Sequence, residues 1–200
     1  NMRDHQGISG KMFSALGKNN INVKAISQGS SERNITAVIK DNDVKKALNT
    51  LHEKFFEKNV KQINLFIVGI GNVGSKLIDQ IEKQTDYLTK KLKLKLRIIA
   101  ISNSKKMLFD ESGLTLSNLK EDIDNGENSN LDEFFKRIKK LNLRNSVFID
   151  NTASSKIAGL YQNFLKNNIS VVTCNKIACS DSYSSYIELK KLASKYDTSF

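Results

Sequence analysis

Apolar residues recur along the chain in two different rhythms, and the change falls near residue 60. In the first stretch, residues 10–18 and 43–56 carry apolar side chains at helical spacing, whereas residues 21–28 and 35–40 have the composition of strands. The order helix, strand, strand, helix is most of a ferredoxin-like βαββαβ unit. We therefore predict a partial ferredoxin-like α+β domain over residues 1–60, and we expect its first strand to precede residue 1.

The second helix of this stretch has the clearest pattern. Asp41 or Asn42 stands where a side chain could cap the first turn. The apolar positions that follow predict a buried stripe made of Val44, Ala47, Leu48 and Leu51.

Beyond residue 60, strands and helices alternate. Apolar runs over residues 63–68, 96–102, 146–150 and 169–173 predict strands, and residues 131–141, 155–166 and 183–196 predict helices. This alternation is typical of a Rossmann-type doubly wound parallel sheet, which we predict for residues 61–200. Residues 103–130 give a poor signal, with a turn at Asn125-Gly126 and a possible short helix at Leu114, Leu116 and Leu119. Residues 197–200 resemble the entry to another strand, so we expect the domain to continue past Phe200.

The first strand of this alternating region ends in three glycines, Gly69-x-Gly71-x-x-Gly74, and a helical pattern of Val73, Leu77, Ile78 and Ile81 follows. Gly69 permits the tight turn, Gly71 lets bare backbone approach a pyrophosphate, and Gly74 lets the helix pack closely on the strand. Such a motif alone is a weak signal, because a turn with no ligand can contain the same glycines. Its position between a buried strand and a helix favours a dinucleotide site.

Composition narrows the class of partner. The 32 basic and 21 acidic residues give a net charge of +11, which is compatible with nucleic acid or an anionic membrane surface. The lysines are dispersed over apparent helix faces, however, so we expect no nucleic-acid partner. No apolar stretch approaches the roughly 20 residues that span a bilayer, and the N-terminus lacks the apolar core of a signal peptide. We expect a soluble, cytoplasmic protein with no membrane partner.

The strand ends carry the candidate chemistry. After the second strand come Asn103, Ser104 and Lys105, where an acid would hydrogen-bond the ribose of NAD. The missing acid and the lysine favour NADP(H), although Lys105 and Lys106 could simply be solvated lysines. Thr152, after the third strand, could contact a cofactor, and one of the serines that follow could cap the next helix.

The fourth strand is followed by Lys176, at the sheet edge where ligands of open α/β sheets bind. A lysine there can hold a carboxylate or polarise a carbonyl. Cys174 is better explained as a small buried thiol than as a nucleophile, because no histidine is near it in the sequence. Cys174 and Cys179 have no histidine cluster beside them, so we expect neither a metal site nor a disulfide.

Together, and in order, these motifs resemble one family, the bifunctional aspartokinase/homoserine dehydrogenases. The segment from Gly7-Ile-Ser-Gly-Lys-Met to Gln28-Gly-Ser-Ser-Glu-Arg33 looks like the last ACT regulatory domain of that family. The remainder looks like its NADP-binding part, through Val68-Gly-Ile-Gly-Asn-Val-Gly74, Asn103-Ser-Lys105, Asp150-Asn-Thr152 and Val171-Val-Thr-Cys-Asn-Lys176.

The resemblance implies specific roles. Thr152 would lie near the nicotinamide, Lys176 would contact cofactor or substrate as the catalytic residue, and Gln28 would take part in binding a threonine effector. The pyrophosphate would be held by the backbone of Gly69, Ile70, Gly71, Asn72, Val73 and Gly74. The family usually has proline where this sequence has Cys174, so the turn that presents Lys176 is expected to be less rigid.

The resemblance also implies an activity for the intact protein. This is the reversible, NADPH-dependent reduction of aspartate semialdehyde to homoserine in threonine and methionine biosynthesis, fused to aspartate phosphorylation, in a homo-oligomer. The kinase domain would precede residue 1. The substrate-binding acids, second catalytic lysine and cation site would follow Phe200, so we expect this chain alone to bind NADP(H) without turning over substrate.

Two other functions stay open at this point. A different NADP-dependent oxidoreductase would share the glycine motif, and a non-catalytic sensor would bind a nucleotide in one half and an amino acid in the other. A nucleic-acid-binding module is a more distant third alternative.

Overall fold

A computed structural model describes residues 5–29, 33–56, 60–117 and 119–200. The chain divides into two compact units, Asn1–Asn59 and Val60–Phe200. Residues 30–32, which carry part of the ACT resemblance, lie outside the described residues.

The first unit consists of two helices and a β-hairpin. Helix α1 spans Ile8–Lys18, strands β1 and β2 span Ala25–Gln28 and Ile35–Val38, and helix α2 spans Val44–Phe55. The strands are antiparallel, with Gln28 opposite Ile35. Leu16, Ile21 and Ala47 form a small buried core. The predicted order helix, strand, strand, helix is present, and the first strand is shorter than expected.

Two predictions about α2 are corrected, and the first is wrong only in part, because Ala47 is buried and Leu51 packs against the small core as predicted. Val44 is 40% and Leu48 is 64% exposed, whereas Lys46, Ala47 and Thr50 are buried. The buried face is therefore rotated from the apolar stripe, since the long aliphatic stem of a lysine can be buried in place of an apolar side chain. Asp41 and Asn42 do not stand at the helix N-cap, because a 3-10 turn over Asp41–Asp43 precedes α2 and Asp43 takes that position without a side-chain capping bond.

The second unit is built on a six-stranded sheet with the order β6-β5-β4-β3-β7-β8. Strands β4, β3, β7 and β8 are parallel, whereas β5 and β6 extend one edge of the sheet with antiparallel pairings, within the region where the apolar pattern was weak. The strands are β3 (Lys61–Val68), β4 (Leu94–Ser102), β5 (Lys106–Phe109), β6 (Glu127–Asn128), β7 (Ser146–Asp150) and β8 (Ile169–Thr173). The helices are α3 (Asn72–Lys90), α4 (Leu119–Asp124), α5 (Leu131–Leu141), α6 (Ser155–Ala158), α7 (Tyr161–Lys166), α8 (Ile177–Ser180) and α9 (Tyr183–Lys195).

Each face of this sheet is covered, which accounts for the continuous apolar runs. Phe66 packs in one core together with residues of α5 and α7, while Ile67 packs in a second core with Ile78 and Ile81 of α3. Successive side chains of a strand point to opposite faces, so a strand buried on both sides must be apolar at every position. The doubly wound α/β fold predicted from the sequence is thus confirmed.

Several local predictions in this unit are corrected. Residues 155–166 form two short helices, α6 and α7, because Gly159, a weak helix former, follows Ala158. Of the apolar positions named for α3, Val73 lies in the first turn and is 53% exposed, whereas Ile78 and Ile81 are buried. Leu114 and Leu116 precede α4 instead of belonging to it, since that helix begins at Leu119.

The segment after α9 lies beside β8. The Val171 amide donates to the Ser199 carbonyl over 2.9 Å, and the Ser199 amide donates to Ser170 Oγ over 3.1 Å. Across the described parts of the chain, none of the helices combines the length and apolar character that crossing a bilayer requires.

Candidate functional site

Four strand ends meet in one row at the carboxyl edge of the sheet. Val68 pairs with both Ser102 and Asp150, and Asp150 pairs with Thr173. The next residues continue the row through backbone hydrogen bonds of 2.9 Å, from Gly69 to Ser102, from Asn151 to Val68 and from Cys174 to Asp150. The candidate residues that the sequence places after four separate strands therefore follow one register line.

This edge contains the point at which the chain changes direction across the sheet. From β3 the chain passes through α3 to β4 on one side, and it later returns to β7 on the other side of β3. In open α/β sheets, ligands bind outside the carboxyl ends of the strands at such a switch point. The glycine turn after β3 and the Asn151-Thr152 turn after β7 flank that crevice.

The three glycines have three different environments. A β-carbon on Gly69, whose φ is +85°, would lie 2.7 Å from Thr152 Cγ2 and 2.9 Å from the Asn151 carbonyl. A β-carbon on Gly74 would overlap the Gly69 carbonyl oxygen and lie 3.2 Å from Asn151 Nδ2. Gly71 differs from both, since a β-carbon there would meet nothing within 4 Å. Packing thus requires glycine at positions 69 and 74, whereas at 71 the backbone faces open space.

That open space lies at the start of a long helix. Gly71 is the N-cap residue of α3, and Gly71, Asn72 and Val73 are all exposed. At the start of α3, the Ser75 amide donates a hydrogen bond to the Gly71 carbonyl over 2.8 Å. The earlier amides of a helix have no partner within it and carry the positive end of the helix dipole. Bare backbone donors at this position suit a diphosphate.

One buried donor next to the glycine turn has no partner in the structure. Asn151 Nδ2 is buried without a hydrogen bond, and it lies on the side of Asn151 that faces Gly74. An unsatisfied buried amide costs about 1–3 kcal/mol. A polar group bound in the crevice could accept this hydrogen bond, so the residues at the switch point fit a dinucleotide.

The turn after β4 is held by the side chain of Asn103. Asn103 Oδ1 accepts from the amides of Lys105 and Lys106 over 2.8 and 2.7 Å. Ser102 Oγ lies 3.0 Å from Ser129 Oγ, which ties the turn to the segment after β6. The turn leads into the antiparallel strand β5 and is fixed on both sides.

The two lysines of this turn differ in their contacts. Lys106 Nζ donates to the Gly126 carbonyl over 3.0 Å, so its ammonium group has a structural partner. Lys105 and Ser104 are exposed at the tip of the turn. Of the two lysines, Lys105 is therefore the better placed to meet a ligand.

The Thr152 turn is ordered by its own side chains. The Thr152 amide donates to Asp150 Oδ1 over 2.7 Å, and Thr152 Oγ1 accepts from the Ser154 amide over 3.1 Å. Ser154 is the N-cap residue of α6 but makes no side-chain capping bond. The predicted capping by a serine is therefore wrong at Ser154, because the turn is organised by Thr152 and Asp150 instead.

Lys176 is exposed at the start of α8 and follows Asn175, which is 3% exposed. Asn175 Nδ2 donates to Asp150 Oδ2 and to the Ser154 carbonyl over 3.1 and 2.9 Å, and its Oδ1 accepts from the Ile177 amide over 3.1 Å. The backbone on both sides of Lys176 is thus anchored. No role was predicted for Asp150, Asn175 or Tyr161 from the sequence, and their hydrogen bonds to one another are visible only in the structure.

Cys174 is exposed, which contradicts the prediction of a buried thiol. The reason is its position: it follows the last residue of β8, where the chain leaves the sheet, and its thiol lies 3.6 Å from Asn151 Oδ1. Cys179 is exposed as well. Among the described residues there is no group of three or more His, Cys, Asp or Glu that could hold a metal ion.

A groove of about 280 Å³ lies next to the glycine turn and is lined by Ile70, Ser75, Leu116, Ser117 and Leu119. Its remaining lining includes Asp79, Glu82 and Glu121. Three carboxylates in this groove disfavour the binding of a phosphate there. In the first unit, Gln28 is the exposed last residue of β1.

Comparison with known proteins also divides the chain into two regions. The model of the ACT domain matches residues 1–55, and the model described as homoserine dehydrogenase, NAD binding domain, matches residues 69–200. The bifunctional aspartokinase/homoserine dehydrogenase of Haemophilus influenzae is 42% identical over 193 residues, and a chloroplastic one of Arabidopsis thaliana is 40% identical over 201 residues. These matches take in 96% and 100% of this chain but only 23% and 22% of those proteins. The chain spans less than a quarter of the length of these relatives.

Solved structures share the fold of the second unit. A hyperthermophilic archaeal homoserine dehydrogenase in complex with NADPH has a TM-score of 0.57 at 22% identity, covering 70% of this chain and 43% of that one. The homoserine dehydrogenase of Thermoplasma acidophilum has a TM-score of 0.54 at 17% identity, covering 70% and 42%. At these identities the likeness concerns the fold alone.

Proposed function

Because this chain belongs to the homoserine dehydrogenase family through its NAD-binding domain, we propose that residues 61–200 bind NADP(H) and form the cofactor-binding part of a homoserine dehydrogenase. The observation that carries the proposal is the contrast among the three glycines of the turn after β3: a β-carbon would meet close neighbours at Gly69 and Gly74 but none at Gly71, at the start of α3. In this proposal the backbone of residues 69–74 holds the diphosphate, and Asn151 Nδ2 gains a partner when the crevice is filled.

The choice of NADP(H) over NAD(H) rests on the β4–β5 turn. Asn103, Ser104 and Lys105 end the strand without an acid that would meet a ribose 2′-hydroxyl. Because Lys106 is bonded to the Gly126 carbonyl, we assign the contact with the 2′-phosphate to Lys105. Asn103 contributes by fixing the backbone that presents Lys105.

For the longer protein we propose the reversible reduction of aspartate semialdehyde to homoserine. When bound, the cofactor supplies or accepts the hydride, and the residues of this chain orient it and the substrate. Thr152 lies in the turn next to Gly69 and would hold the nicotinamide end. The Lys176 ammonium would stabilise negative charge that develops on the carbonyl oxygen.

The first unit suggests regulation. We propose that the ACT domain binds threonine with the participation of Gln28, and that the longer protein also phosphorylates aspartate and is a homo-oligomer. The support is the ACT match over residues 1–55 together with the bifunctional names of the relatives.

Titration of NADPH and NADH onto the chain tests the cofactor proposal. Lys105→Ala is expected to weaken NADPH binding about tenfold, which corresponds to about 1.4 kcal/mol, and to leave NADH affinity unchanged within about twofold. Lys83→Ala, an exposed lysine within α3, is the matched control. An equal loss for both nucleotides would remove the phosphate contact from Lys105.

Labelling of Cys174 gives a second measurement that does not depend on activity. In the Cys179→Ser variant, Cys174 is exposed beside the crevice, so saturating NADPH should slow its alkylation.

In the full-length gene product, Lys176→Ala should abolish NADPH oxidation that depends on aspartate semialdehyde while leaving NADPH binding intact. Wild-type protein that shows no activity on aspartate semialdehyde or homoserine would exclude the proposed reaction.

A further inference from the structure

The carboxylate of Asp150 connects the two turns that carry Thr152 and Lys176. Asp150 is fully buried, and its two oxygens serve different turns. Oδ1 accepts from the Thr152 amide over 2.7 Å, whereas Oδ2 accepts from Asn175 Nδ2 over 3.1 Å. One side chain at the end of β7 therefore sets the position of both turns.

Tyr161 supplies the third donor to this carboxylate. Its hydroxyl donates to Asp150 Oδ2 over 2.5 Å, and it lies 2.7 Å from Thr173 Oγ1 at the end of β8. Thr173 Oγ1 in turn accepts from the Asn175 amide over 2.8 Å. The hydroxyl of Tyr161 thus contacts the side chains of Asp150 and Thr173, at the ends of β7 and β8. Both of these side chains also hydrogen-bond Asn175, the residue before Lys176.

Aromatic rings pack against the side chain of Tyr161. Tyr161 is fully buried between Phe148 and Phe200, at ring-centroid distances of 6.5 and 5.9 Å. Burial and the neighbouring Asp150 carboxylate raise the pKa of Tyr161 well above its usual range. The phenol therefore keeps its proton at physiological pH and remains a donor.

The side chain of Asn175 is fully used within this network. Both hydrogens of its amide are donated, to Asp150 and Ser154, and its oxygen accepts from Ile177. Because each of these partners is fixed, the amide has one orientation, and the backbone of the next residue inherits it. A side chain that serves only to fill space would not require this match of donors and acceptors.

We propose that Asp150 and Tyr161 are positioning residues, which together set the place of the Lys176 turn relative to the Thr152 turn. The inference rests on the proposed function, because it assigns the two turns to the reacting centre and the nicotinamide end. Neither Asp150 nor Tyr161 touches the reactants in this proposal. Their effect is to hold the Lys176 turn where its ammonium group meets the carbonyl oxygen.

The test uses Tyr161→Phe in the full-length gene product, because it deletes one hydroxyl and keeps the ring. The Asp150 Oδ1 contact with the Thr152 amide is untouched, so the Kd for NADPH should stay within about twofold of wild type. The Lys176 turn loses a constraint, so kcat should fall at least about tenfold with KM for aspartate semialdehyde changed far less. Thr173→Val, which removes the other hydroxyl of the pair, should show the same separation of kcat from Kd.

Alkylation of Cys174, followed by peptide mapping, reports on the same turn without catalysis. Its rate should rise at least about threefold in Tyr161→Phe, because Cys174 lies between Thr173 and Asn175. Tyr186→Phe is the matched control. The Tyr186 ring packs on Phe200 with 6.3 Å between ring centroids, but the hydrogen bonds among Asp150, Tyr161, Thr173 and Asn175 do not include its hydroxyl. This variant should change neither kcat nor the alkylation rate. The proposal is overturned if Tyr161→Phe behaves like Tyr186→Phe, or if Kd rises in proportion to the loss of kcat. Wild-type protein that binds no NADPH would instead overturn the proposed function.

Discussion

Replacing Gly74 by alanine tests the geometry of the glycine turn most sharply, because the same substitution at Gly71 is a built-in control. A β-carbon on Gly74 would overlap the Gly69 carbonyl oxygen, with the Gly69 carbonyl carbon at 3.0 Å and Asn151 Nδ2 at 3.2 Å. Two of these three neighbours are backbone atoms, which cannot rotate away. Gly69 itself has a φ of +85°, and its amide donates to the Ser102 carbonyl at the end of β4, so the turn has little room to move.

The expected cost follows from overpacking. Inserting a methyl group into a closely packed site costs typically about 1–3 kcal/mol, and the backbone neighbours place Gly74→Ala at the upper end, about 3 kcal/mol. For a domain of roughly 150 residues this corresponds to a fall in Tm of roughly 6–12 °C. Gly71→Ala meets no atom within 4 Å, so its cost should stay below about 1 kcal/mol, the size of a small N-cap effect.

The assay is urea unfolding of both variants and the wild type, followed by far-ultraviolet circular dichroism. The two units can unfold separately, so the transition that NADPH shifts is the one to compare. Similar losses of stability for Gly71→Ala and Gly74→Ala would refute the argument that packing requires glycine at one position and ligand access requires it at the other.

Two further predictions concern buried side chains, one in each unit. Burial lowers the pKa of Lys46 from 10.5 to about 8, so between these pH values the unfolded state binds more protons and stability rises with pH. The free energy of unfolding of wild type relative to Lys46→Met should therefore increase by about 3 kcal/mol from pH 8 to pH 10.5, and a flat difference would contradict the burial of Lys46. Phe148→Ala should cost about 3–5 kcal/mol, because Phe148 is fully buried and stacks on Phe164 at 3.9 Å; a loss below about 1 kcal/mol in urea unfolding would contradict that packing.

The sequence was most informative where local rules and tertiary contacts agree. The carboxyl-terminal parts of strands β3 and β7 are buried on both faces, so their apolar runs could be recognised without knowledge of their neighbours. The glycine turn was recognisable because φ and close packing at Gly69 and Gly74 restrict the residue type. Gly71 followed from spacing alone, and its open surroundings emerged only from the structure.

The errors arise where tertiary contacts override a local pattern. In α2 the aliphatic part of Lys46 is buried while Leu48 is exposed, which no apolar stripe predicts. Cys174 was expected to be buried because cysteine usually is, but its place after the last residue of β8 exposes it. Strand β5 has only four residues, and it pairs antiparallel to β4 across a turn held by Asn103, a contact that hydrophobic spacing does not encode.

The residues of the candidate site also differ in whether the sequence could predict them. Thr152 and Lys176 could be proposed from their positions after strands. The buried Asp150 that connects their turns could not, since two of its three donors, Tyr161 and Asn175, lie 11 and 25 residues away in the sequence. Asn175 and Tyr161 have no feature in the sequence that marks them as partners. Their role depends on the register that sets β7 beside β8.

The central claim is that exposed backbone at Gly71 binds the diphosphate of the cofactor. Isothermal titration of NADPH onto wild type and Gly71→Asp measures this most directly, with circular dichroism to establish that both are folded. A carboxylate at this position fills the open space and repels phosphate, so binding to Gly71→Asp should become undetectable while the wild type binds one equivalent. Equal NADPH affinity for the two folded proteins would contradict the account.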